Sequence, residues 1–102
     1  MKLHLIEKLR KMKPVSRGSA TFESGDWTIS EERAKSLIGG MIYFYETQAG
    51  FSYFGGRITG YRVIPVGSPN EGKVVIEFVR DEAAIGKRTG KEGWGNEQKM
   101  EE

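Results

Sequence analysis

Hydrophobic spacing changes several times along the chain, and each change predicts an element. Leu5, Leu9 and Met12 fall at helical spacing, with Ile6 beside them and Lys8, Arg10 and Lys11 on the other side. A short amphipathic helix fits this pattern, although Leu3-His4-Leu5 equally begins a strand. Pro14 limits what precedes it, because the residue before a proline is pushed out of the helical region. Val15–Ala20 reads as a connector. Phe22, Trp27 and Ile29 surround a Ser24-Gly25-Asp26 turn signal, which predicts two short strands or one bulged strand over Thr21–Ile29. Ser30 is placed to cap a helix, Glu31 and Glu32 favour its first turn, and Gly39 or Gly40 supplies the left-handed residue that ends it. The expected helix runs from Glu31 to Ile38.

Met41–Tyr45 is a strand with apolar groups on both faces: Ile42 and Phe44 on one, Met41, Tyr43 and Tyr45 on the other. A loop follows over Thr47–Phe54. Gly55-Gly56 then permits positive φ or close backbone approach. The next strand spans Arg57–Val66, with a bulge or bend expected at Gly60 and Pro65 near its end. Gly67–Gly72 is a hairpin loop. Lys73–Arg80 is the most regular strand, with Val74, Ile76 and Phe78 alternating against Val75, Glu77 and Val79. Many short strands, glycine at the bends and one or two short helices predict a mainly β fold. It would be a strongly bent sheet or partly closed β-barrel, with a two-layer α+β sandwich as the alternative.

Length and composition set limits on this picture. The 102 residues hold one core, expected over residues 1–86, with a basic N-terminal arm over 1–18 and a largely mobile, charged tail over 87–102. No apolar run approaches the roughly 20 residues of a membrane span. Glu7, Lys8, Arg10 and Lys11 interrupt any secretory signal, and there is no cysteine; both point to a reducing cytoplasm. The net charge of +2 is uneven. Lys2, Lys8, Arg10, Lys11, Lys13 and Arg17 face a single acid, Glu7, within the first 18 residues. Such clustering attracts phosphate, or is simply a solvated terminus.

Catalytic chemistry is poorly supplied. His4 is the only histidine, so no Ser-His or Cys-His pair and no multi-histidine metal site is signalled. Gly86-Lys87-Arg88-Thr89-Gly90 has the residue types of a phosphate loop at the wrong spacing. Asp26 and Glu46 are the carboxylates a hydrolase or transferase would draw on; they could meet in space, but their spacing gives no reason to expect it. Neither enzyme activity nor a cofactor is therefore expected. Aromatic residues are better supplied. Trp27, Tyr43, Tyr45 and Tyr53 could stack on a base, or all could be core. Gln48 and Ser52 offer hydrogen bonds to a base edge or polar ligand, or satisfy loop backbone groups. Arg57, Arg62 and the arm residues Lys8, Arg10, Lys11, Lys13 and Arg17 would meet phosphate.

The run from Gly25-Asp26-Trp27 through Leu37-Ile38-Gly39-Gly40, Met41–Tyr45 and Tyr53-Phe54-Gly55-Gly56-Arg57-Ile58 resembles a family of small uncharacterised bacterial proteins. Its layout is also similar to PUA-like barrels of the EVE and ASCH types, although Gly39-Gly40 stands where those families commonly have Gly-Asp. The second resemblance implies a barrel with an aromatic-lined pocket for RNA or a modified base, placing Trp27, Tyr43 and Tyr53 near that pocket. The expected function is a non-enzymatic binding module for nucleic acid or a nucleotide. The alternatives are a protein-interaction or homo-oligomerisation module and, third, a small-molecule enzyme.

Overall fold

The computed structural model describes all 102 residues. Seven strands form one mixed sheet: β1 (Lys2–Ile6), β2 (Lys13–Pro14), β3 (Thr21–Trp27), β4 (Met41–Tyr45), β5 (Phe54–Val63), β6 (Val74–Arg80) and β7 (Gln98–Glu101). One α-helix, α1 (Glu31–Leu37), and a 3-10 turn at Glu82–Ala84 complete the fold. The strand order is β2-β3-β6-β5-β4-β1-β7. Only β1 and β4 run parallel; every other pair is antiparallel. The chain is thus mainly β, as its pattern predicts, and the sheet is bent without closing. Its two ends nonetheless come near one another, since the Gln98 side-chain amide on β7 donates to the Thr28 carbonyl just beyond β3.

Local chemistry explains the bend. The β3–β6 register shifts between Ser24 and Trp27, and the β5–β6 register between Ile58 and Gly60. Both are bulges, which increase local twist and curl the sheet. Gly55 and Gly56 serve close approach: a Cβ on the first would strike the Ile42 carbonyl, and on the second the Val79 carbonyl. The helix starts where expected, with the Ser30 hydroxyl accepting from the Arg33 amide, and ends at Gly39, whose φ of 90° is left-handed.

The concave side of the sheet holds the main core. Leu3, Leu5, Ile42, Phe44, Ile58, Ile76 and Phe78 meet there under Ala34 and Leu37 of α1. The Phe44 and Phe78 rings lie 5.4 Å apart, although they come from strands separated by β5. A second, smaller cluster lies on the other side of β4, where Ala84 and Trp94 cover Tyr43 and Tyr45.

One alternative is decided and one expectation is corrected. Of the helix and the strand that the N-terminal segment could form, it forms the strand. β1 lies between β4 and β7, so Leu3, His4, Leu5 and Ile6 are all buried and the two-faced burial of an inner strand overrides the helical spacing. Leu9, which suggested a helix face, is 71% exposed. The tail is also structured in part. Gln98–Glu101 pairs with β1, and Trp94 packs edge-on against Tyr45, 5.7 Å between centroids.

Candidate functional site

The arm leaves β1 at Ile6 and ends as β2, at the opposite edge of the sheet from β7. Its anchors are two hydrogen bonds at Glu7: the Glu7 amide donates to the Tyr45 carbonyl, and the Tyr53 side-chain hydroxyl donates to the Glu7 carbonyl. Beyond them, successive side chains point to different sides. Lys11 and Lys13 line a cleft of about 430 Å³ together with Arg62 of β5 and Lys73, the residue before β6. Its floor is Gly25 and Val75, and its acids are Glu23 and Asp26. Lys8 and Lys11 line an adjoining cleft of about 420 Å³ that reaches Asp26 and Trp27 from the β1 side.

Charge in the main cleft is not balanced. Arg62 pairs with Glu23 at 3.3 Å, while Asp26 accepts from the Asn70 side-chain amide at 2.9 Å. Lys11, Lys13 and Lys73 form no salt bridge. Three ammonium groups without a carboxylate partner therefore share one concavity, which focuses positive potential there. The register explains how they meet. Lys13 sits opposite Glu23 on β3, and Arg62 opposite Val75 on β6, so alternation along each strand brings these side chains to one face.

The expected stacking residues do not join this cleft. Tyr43 and Tyr45 are buried behind β4, against Ala84 and Trp94, so their face is filled and not a groove. Trp27 is 8% exposed, its indole N–H donating to Ser24 Oγ at 2.9 Å, so no ring face is open to a base. Tyr53 is half-buried with the Arg10 guanidinium 4.2 Å over its ring, which takes both residues out of the cleft. Gln48 donates to the Asn96 carbonyl. Ser52 is buried, donating to the Ala84 carbonyl and accepting from the Lys87 amide, so it ties the loop to the C-terminal segment. Arg57 donates to the Gly39 carbonyl, and Arg17 lines neither cleft. Asp26 and Glu46 take different partners, Asn70 and Arg10. Of the expected set, Lys11, Lys13 and Arg62 share the main cleft, and Lys8 shares the adjoining one with Lys11. Lys73 was missed: alternation puts it on the Val75 face of its strand, but nothing local says that Lys13 and Arg62 join that face.

A second polar group lies behind β4. His4 is 3% exposed, its ring stacked on Tyr43 at 5.0 Å. The consistent proton assignment has the Tyr45 hydroxyl donating to Nδ1 at 2.9 Å and Nε2–H donating to Glu101 at 2.5 Å. Thr89 also donates to Glu101, and Lys99 donates to the Thr89 carbonyl. Burial pushes the His4 pKa below its ordinary value and the Tyr45 pKa well above its own. The Thr89 hydrogen bond leads in holding the Glu101 carboxyl down. No fully buried side-chain polar atom is left without a partner, and the Glu101 bonds to His4 and Thr89 fasten the C-terminal segment to β1. No three His, Asp or Glu side chains come together as a metal-holding group. Comparison with protein-family models, curated proteins and solved structures finds no match to this chain.

Proposed function

We propose that this chain is a non-enzymatic binding module for single-stranded nucleic acid, held mainly through its phosphates. The observation that carries the reading is the trio of unpaired lysines, Lys11, Lys13 and Lys73, sharing one cleft with Arg62. Ammonium groups that neutralise phosphates release condensed counterions, which drives binding with little regard to sequence. The lining comes from strands and loops and includes no residue of α1, so the cleft offers no helix to a duplex groove. Because Trp27, Tyr43 and Tyr45 are buried, base stacking is not part of the reading.

The test is a titration of labelled single- and double-stranded oligonucleotides at several salt concentrations. Four phosphate contacts predict a log–log slope of about −3 for the single strand. Lys13→Glu with Lys73→Glu is expected to weaken binding at least about tenfold and flatten the slope by about two contacts. Absence of binding at tens of micromolar protein in low salt would sink the reading.

A further inference from the structure

On the opposite side of the arm from the lysine cleft lies a groove of about 400 Å³ with a different character. Its floor is Met12, Phe22, Tyr53 and Phe54, all half-buried, and Ile85 forms an exposed lip. Arg10 and Arg80 flank it. This mostly apolar concavity therefore carries two guanidinium groups at its rim. Both are exposed, and Arg10 lies over the Tyr53 ring. Arg80 has Glu82 as its only ionic partner, at 3.7 Å, and Arg10 pairs with Glu46 at 3.3 Å. Exposed pairs of this kind are weak and exchange readily for a better carboxylate.

We propose that this groove docks a peptide segment of a protein partner in which bulky apolar residues are flanked by aspartate or glutamate. The apolar side chain would enter between Met12 and Ile85, and the acids would engage Arg10 and Arg80 as planar, two-donor partners. A nucleic-acid base fits less well, because the ring faces are already occupied. Arg10 covers Tyr53 at 4.2 Å, while Phe22 meets Phe54 at 78° and stacks on Phe78. What remains accessible is ring edges, a thioether and an isoleucine, which suit an aliphatic or aromatic side chain entering end-on. A shallow groove of this size takes one or two such residues, as short linear segments present them.

A direct test uses a fluorescein-labelled hexapeptide with two central phenylalanines flanked on each side by two glutamates, with binding followed by anisotropy. Two comparison peptides carry lysines for the glutamates or glycines for the phenylalanines. The acidic apolar peptide is expected to bind at least about tenfold more tightly than either. Arg80→Glu and Ile85→Asp, both on exposed side chains, are each expected to weaken it at least about fivefold. Lys73→Glu, on the other cleft, should leave it unchanged. Arg80→Gln repeats the test should Arg80→Glu fail to fold. The proposal is overturned if the glycine peptide binds as well as the phenylalanine one, if Lys73→Glu rather than the groove variants abolishes binding, or if no peptide binds at millimolar concentration. It is equally overturned if an oligonucleotide, and not the peptide, perturbs the amide resonances of Phe22, Tyr53 and Ile85.

Discussion

The imidazole of His4 has Glu101 on one nitrogen, the Tyr45 hydroxyl on the other and the Tyr43 ring against its face. Desolvation is the largest influence on its pKa and lowers it, with Lys99 and Lys2 acting in the same direction and Glu101 opposing. A base whose folded pKa is depressed binds its proton more readily when unfolded. Stability is therefore full above the ordinary histidine value of about 6.5 and is lost as pH falls from there towards the folded value. Glu101, also depressed, loses its contribution lower still, as pH falls from the ordinary glutamate range through its folded value. Because His4 is the only histidine, the loss just below neutrality is expected to come from one residue. The melting temperature should fall between about pH 7.5 and 5.5, and His4→Gln, which keeps hydrogen-bonding capacity without titrating, should flatten that slope. A slope in the variant equal to that of the parent would remove His4 from this role.

At the scale of elements, the backbone of β5 depends on close approach. Gly55 lies against β4 and the 3-10 turn, where a Cβ would strike the Ile42 carbonyl and stand 2.8 Å from the Ala84 Cβ. Neither neighbour is the free end of a flexible side chain, so Gly55→Ala must move a strand. The expected cost is about 1–3 kcal/mol or more, read as a lower urea midpoint with little change in m-value. This position was legible beforehand: paired glycines before a β run anticipated close approach, and Gly60 anticipated a bulge. Ser30 and Gly39 likewise marked the ends of α1, because capping is decided by neighbours in sequence. What escaped was whatever depends on distant partners. Leu5, Leu9 and Met12 keep helical spacing, yet β1 forms because β4 and β7 bury it from both sides. The C-terminal segment looked too polar to order. One tryptophan, the Glu101–His4 bond and four residues of pairing with β1 hold it. The aromatics of β4 alternated as expected, but only the position of Ala84 and Trp94 decides that Tyr43 and Tyr45 are core.

For the molecule as a whole, the arm borders two surfaces of different chemistry, one on the Glu23 and Val75 face of the sheet and one on the core side with Phe22 and Phe54. The lysine cleft is mostly polar, with four cations against two carboxylates. The aromatic groove is mostly apolar with an arginine rim. Clustering of base in the first 18 residues pointed to phosphate contact, and Lys8, Lys11, Lys13 and Arg62 were readable as candidates. The convergence of Lys11, Lys13 and Arg62 with Lys73 was not readable, because it depends on β2–β3 and β5–β6 registers that no local pattern encodes. The most direct test of the central claim is an amide chemical-shift titration of the protein with a short single-stranded oligonucleotide at low salt. The account predicts saturable shifts concentrated on Lys11, Lys13, Gly25, Asp26 and Lys73, reversed by added salt. Shifts confined to the Gln48–Ser52 loop or to the β4 face around Tyr43, or no shifts at all, would contradict it.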